Sequence, residues 1–125
     1  MEDNKIIILK NGIDVFGNKI EILINDEIIE KISENIDESR FKNNENIRII
    51  DVKEKLIMPG VIDVHTHMRE PGIIYKEDFK TGSRACAKAG ITTFYDMPNT
   101  IPTTTTLENL LEKKKLASKK SIVNF

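Results

Sequence analysis

The hydrophobic rhythm of this chain changes once, near Leu56, and that change restricts the fold more than any other feature. Before it, short β-branched runs are separated by turn residues. Residues 5–9 are Ile-rich and lead into Asn11-Gly12, a hairpin-turn signal. Gly17-Asn18 marks another turn, and residues 19–24 alternate polar and apolar side chains as a half-buried strand does. Asn25-Asp26 turns the chain again ahead of Ile28, Ile29 and Ile32. Residues 34–46 are polar, carry no period and are expected to be loop, and residues 47–52 read as a further strand. This half, residues 1–55, is expected to be a small all-β layer.

From residue 56 on, strand and helix signals alternate. Residues 56–64 form a mostly apolar run interrupted by Pro59-Gly60 and Asp63. Residues 75–89 read as a helix with Tyr75, Phe79, Cys86 and Ala89 on one face, although Gly82 weakens the pattern. Glu77 and Asp78 at its start and Arg84 and Lys88 near its end suit the helix dipole, and Gly90 stands where a terminating glycine belongs. Residues 91–97 read as a strand. Thr105 and Glu108 fit a capping box for a second helix with Leu107, Leu110, Leu111 and Leu116 as its apolar stripe, and residues 121–125 begin another strand. Strand, helix, strand, helix, strand is the order of parallel βα units. A closed (β/α)8 barrel takes roughly 250 residues, so on a barrel reading these residues are a fragment of one. An open parallel sheet is the alternative.

Composition limits the partners. Nineteen basic and 20 acidic residues leave a net charge of −1, which gives no electrostatic reason for a nucleic-acid or membrane-surface partner. The longest apolar runs fall far below the roughly 20 residues that cross a bilayer. The charged start, Met1-Glu2-Asp3-Asn4-Lys5, is followed by no export signal, so a cytoplasmic address is expected. The lone Cys86 can build neither an internal disulfide nor a thiolate cluster.

The chemistry concentrates in Asp63-Val64-His65-Thr66-His67. Side chains two apart on a strand share a face, so Asp63, His65 and His67 project together. Two imidazoles spaced roughly 7 Å along a strand can converge on one divalent ion if the strand end bends, and imidazole is a good zinc ligand. His-x-His alone is a weak motif, since paired histidines in a loop are usually solvated. Here the pair ends an apolar strand, follows Pro59-Gly60, shares its face with an acid and precedes Arg69-Glu70-Pro71-Gly72. Strand ends facing the loops are where parallel α/β folds build active sites. Arg69, two residues past His67, can grip a carboxylate bidentately, and Asn99 in Asp96-Met97-Pro98-Asn99-Thr100 would emerge on the same rim if the strands are parallel neighbours. The plain alternatives are a surface arginine and a turn asparagine.

Met58-Pro59-Gly60-Val61-Ile62-Asp63-Val64-His65-Thr66-His67-Met68-Arg69-Glu70-Pro71-Gly72 resembles the metal-binding signature of dihydroorotases in the amidohydrolase superfamily. Ala89-Gly90-Ile91-Thr92-Thr93 and Asp96-Met97-Pro98-Asn99-Thr100 resemble the stretch that follows it there. The likeness is close over residues 50–125 and looser before. It implies an α/β fold: an incomplete (β/α)8 TIM-type barrel over residues 56–125, consisting of two βα units and a third strand, preceded over residues 1–55 by part of a small β-sandwich. It further implies zinc, one or two ions in the complete enzyme, and reversible hydrolysis of a cyclic amide that interconverts dihydroorotate and N-carbamoyl-L-aspartate in pyrimidine synthesis. His65 and His67 would be metal ligands and Arg69 and Asn99 substrate-carboxylate contacts; strand parity, rather than the resemblance, makes Asp63 an orienting residue behind a ligand. No catalytic base falls within this chain. The remaining ligands and the base lie in later strands of the family, so the isolated chain is expected to be inactive. Allantoinases, dihydropyrimidinases and hydantoinases share the His-x-His strand and are the alternative substrate class. A non-catalytic dihydroorotase-like subunit, or an unrelated small α/β domain, is the alternative of another kind. A small-molecule substrate is the partner the resemblance implies, with a homodimer open to the full-length protein.

Overall fold

The computed structural model describes residues 5–125. The charged segment read above as lacking an export signal lies outside the described residues, apart from Lys5. The chain divides into two compact units, Met1–Met58 and Pro59–Phe125.

The first unit is a four-stranded sheet of β1 (Ile6–Ile13), β2 (Lys19–Asn25), β3 (Ile28–Ser33) and β4 (Ile47–Asp51). The strand order is β3-β2-β1-β4, with β1 antiparallel to β2 and parallel to β4. Alternation along β1 buries Ile6 and Ile8, which form one core with Leu23 of β2 and Ile36. Asn11-Gly12 is not the hairpin turn. β1 runs through it, with Asn11 at φ 57° and a register shift between Leu9 and Gly12. A left-handed residue inside a strand makes a bulge, so the feature that suggested a turn bends the ladder instead. The chain reverses at 14–18, where the Asp14 carboxylate accepts from the backbone N–H of Phe16 and of Asn18, both at 2.8 Å. The stretch expected to be loop holds a 3-10 turn, Glu38–Phe41, capped by Asp37. It also holds the buried Ile36, whose N–H donates to the buried Glu21 carboxylate at 2.8 Å.

The second unit contains β5 (Val61–Thr66), α1 (Phe79–Lys88), β6 (Ile91–Asp96) and α2 (Leu107–Lys120). β5 and β6 pair in parallel, and Thr93 makes a parallel bridge to Asn124, so residues 121–125 begin to align where a third strand was expected. The core comprises Met68, Phe79, Cys86, Phe94 and Ala117, with Phe79 and Phe94 stacked at 6.3 Å between ring centroids. β5 itself is less buried than its apolar run suggested. Val61, Ile62 and Val64 are all about half exposed or more, because α1 packs on β6 and the described residues provide no second layer over β5.

α1 starts later than the periodicity predicts. Asp78 is its N-cap, accepting from Thr81 N–H at 2.8 Å, so Glu77 and Asp78 lie outside the helix and Tyr75 stands in the preceding turn, largely exposed. An aspartate that caps the orphan N–H groups fixes the start more strongly than an aromatic three residues earlier extends it. Gly82 has a packing reason. It is buried, and a Cβ there would meet Met68 Sδ at 2.3 Å. α2 is capped by Thr106, whose hydroxyl accepts from Asn109 N–H at 3.2 Å, so the expected Thr105–Glu108 box does not form. Its expected apolar stripe is also displaced. Leu107, Leu110 and Leu111 are exposed while Lys113 and Ala117 are buried, because α2 turns the Lys113–Ala117 face toward the sheet. No helix among the described residues is long and apolar enough to cross a membrane.

Candidate metal centre at the end of the first parallel strand

β5 stops at Thr66, and His67 leaves the ladder just beyond it. The pairing with β6 shifts register between Asp63 and Thr66. The His65 and His67 ring centroids lie 5.2 Å apart, edge to face at 63°. Zinc–nitrogen bonds of about 2.0–2.1 Å in a tetrahedral arrangement put the centroids of two imidazoles roughly 5.1 Å apart. The spacing of this pair therefore fits two ligands of one ion. Beyond the pair, the described residues hold no group of three or more His, Cys, Asp or Glu side chains placed to bind a metal.

Asn99 fixes one ring. Its Oδ1 lies 2.8 Å from His67 Nδ1, and a carbonyl oxygen only accepts, so Nδ1 carries a proton in this contact. The amide nitrogen of Asn99 has no partner among the described residues and remains available as a donor. Asp63 turns its Oδ1 onto the backbone N–H of His65 at 3.1 Å, so it holds the main chain at His65 rather than a ring. Arg69 adopts φ 62°, and its carbonyl accepts from Ile73 N–H at 3.0 Å. Arg69 is half-buried as a residue, and its guanidinium enters none of the ion pairs among the described residues. The structure thus joins His65, His67 and Asn99 directly and leaves the arginine head group unspent.

Three supporting residues escaped the sequence reading. Asp96 accepts from Met68 N–H at 2.7 Å and pairs with the buried Lys113 at 2.7 Å. Glu70, inside the Arg-Glu-Pro-Gly segment, is buried and accepts from Phe79 N–H at 3.1 Å and from Lys120 Nζ. It ties the loop after β5 to the start of α1 and the end of α2. Charged residues beside apolar strand ends were the available signal, but their partners lie 17 and 50 positions away and no local pattern links them.

The profile of the Amidohydrolase family matches residues 56–125. The chain belongs to the amidohydrolase family. Among similar proteins, this amidohydrolase chain is 42% identical over 119 residues to a protein named dihydroorotase from Methanosphaera stadtmanae, covering 95% of the chain and 27% of the relative. It is 43% identical over 120 residues to one of the same name from Methanosarcina acetivorans, covering 94% and 25%. Among solved structures, L-hydantoinase (dihydropyrimidinase) from Arthrobacter aurescens superposes with a TM-score of 0.79 at 34% identity, over 100% of this chain and 27% of that one. A D-hydantoinase follows with a TM-score of 0.75 at 28% identity, over 94% and 25%. The amidohydrolase chain therefore spans about a quarter of the length of the curated relatives it matches.

Proposed function

We propose that the complete protein is a zinc-dependent dihydroorotase that interconverts dihydroorotate and N-carbamoyl-L-aspartate in pyrimidine synthesis. In this reading residues 1–55 contribute to a β-sandwich and residues 56–125 open a (β/α)8 barrel. The observation that carries the chemistry is the 5.2 Å separation of the His65 and His67 rings, with a His67 proton held on Nδ1 by Asn99. These rings would hold a zinc ion, which would supply Lewis acidity toward an amide carbonyl. The chain's own residues contribute ligands and substrate contacts. His65 and His67 present lone pairs from one strand end, and Asp63 holds the His65 backbone in place. Arg69 offers a planar guanidinium to the substrate carboxylate, and the Asn99 amide nitrogen offers a second donor.

Dihydroorotate carries a carboxylate that hydantoins lack, which is why the uncommitted Arg69 supports this substrate. The second reading, a hydantoinase or dihydropyrimidinase, is favoured by the superposition on the Arthrobacter enzyme. An assay of the full-length protein with zinc against dihydroorotate, dihydrouracil and a 5-substituted hydantoin separates them. Preference for dihydroorotate is expected, and Arg69→Met should lower its kcat/KM by about a hundredfold, the loss of one charge-assisted bidentate contact of roughly 3 kcal/mol. Faster turnover of the hydantoin by the unaltered enzyme would discard the first reading. With two histidines and one cysteine in its sequence, the 125-residue chain alone is expected to give no metal-dependent ring opening.

A further inference from the structure

Lysine is rarely buried unless its charge is paired, and Lys113, in the middle of α2, is only 6% exposed. Its ammonium lies 2.7 Å from Asp96 Oδ2 and donates to the Met97 carbonyl at 2.8 Å. Asp96 uses its other oxygen to accept from Met68 N–H at 2.7 Å. On the other side of His67, the Thr66 carbonyl accepts from Met97 N–H at 2.9 Å, and the Thr66 hydroxyl donates to the Tyr95 carbonyl at 3.1 Å. The backbone before and after His67 is therefore pinned to the end of β6, and one ammonium from α2 pins that end. The same β6 extension carries Asn99 to the His67 ring. A buried ion pair is a weak contributor to stability, since apolar replacements of equal volume often do as well. Its placement here, two bonds removed from the histidine pair, gives it a different task.

We propose that Lys113 is a positioning residue for the histidine pair, acting through Asp96 to fix the His67 backbone and the Asn99 contact that selects the ring's tautomer. The proposal rests on reading His65 and His67 as metal ligands. Removing the ammonium leaves Asp96 as an uncompensated buried carboxylate, which must turn toward solvent and release Met68 N–H.

The test uses the full-length protein, with the imidazole nitrogens observed by long-range nitrogen-15 NMR in the absence of metal and then during titration with Zn²⁺. The unaltered protein should show His67 as a single Nδ1–H tautomer. Lys113→Met should keep dispersed amide signals for α1 and β6 but give mixed His67 tautomers and an apparent Zn²⁺ affinity lower by about tenfold or more, as for loss of other outer-shell supports. Lys113→Arg should restore both. A folded Lys113→Met protein with the single tautomer and undiminished Zn²⁺ affinity overturns the proposal. If Lys113→Met does not fold, Asp96→Asn decides, since it keeps an acceptor for Met68 while losing the charge that Lys113 holds. Mixed His67 tautomers in the folded Asp96→Asn protein support the role, and an unchanged signature overturns it. An unaltered full-length protein that binds no Zn²⁺, while the variants still lose the tautomer, sinks the metal reading and leaves the positioning role standing.

Discussion

Gly72 illustrates how much of this site depends on backbone rather than on the histidines. It follows Arg69-Glu70-Pro71, adopts φ 87°, and a Cβ there would stand 2.2 Å from the Ile101 carbonyl oxygen. Pro71 O accepts from Ile101 N–H at 3.1 Å, so the loops after β5 and β6 touch main chain to main chain at this point. Gly72→Ala combines a left-handed conformation with a clash against backbone that cannot rotate away. A loss of about 2 kcal/mol or more is expected in urea denaturation, and a change within about 0.5 kcal/mol would show that the two loops separate freely. Cys86 gives a second residue-scale expectation. Burial, and secondarily the Asp63 charge, push its thiol above the ordinary value. It should therefore react with a thiol-specific disulfide reagent far more slowly in the folded chain than in urea, and equal rates would mean that α1 does not hold its buried face.

At the scale of the element, both helices owe their starting points to one side chain each. Asp78→Ala at the head of α1 and Thr106→Ala at the head of α2 should each cost about 1 kcal/mol in thermal or chemical unfolding. The Asp78 carboxyl is held below its ordinary value chiefly by the Thr81 N–H, and also by the Thr81 hydroxyl. A depressed carboxylate stabilises the fold fully above its unfolded-state value, near 3.8, and loses that contribution as pH falls through its lower folded value. The cap's share of stability should thus vanish only in strong acid, and Asp78→Asn should flatten that part of the stability–pH curve. An acid limb identical in the two proteins would remove Asp78 from the account. These caps also show what the sequence made legible. The order of strands and helices and the nearness of the His65 and His67 rings could be read from spacing, because periodicity and strand parity are local. Helix starts were read one to four residues early, because neighbouring threonines or acids compete for the same N–H groups and only the settled backbone selects one. The roles of Glu70, Asp96 and Lys113 were not legible at all, since each acts on a partner brought near by the fold.

For each compact unit as a whole, the open question is what covers its apolar surface. In the second unit Leu110 and Leu111 line a groove of about 570 Å³ together with Phe94, Pro98 and Phe125, and Leu107 is also exposed nearby on α2. Contiguous apolar surface of this kind favours association. The 125-residue chain should bind a hydrophobic fluorescent dye and elute early in size exclusion, and the double substitution Leu110→Glu with Leu111→Glu should reduce both. Dye binding unaffected by that change would place the sticky surface elsewhere, for example on the exposed Ile28, Ile29 and Ile32 of β3. The histidines are neighbours in sequence, but the contacts that aim them are not: Met68 reaches Asp96 across 28 positions, and Glu70 reaches Lys120 across 50. Contacts of such span close late, because loop-closure entropy is spent before they form. The nascent strand can thus display both imidazoles well before α2 docks and gives them a common direction, so damage to α2 would register first as a faster escape from the native state.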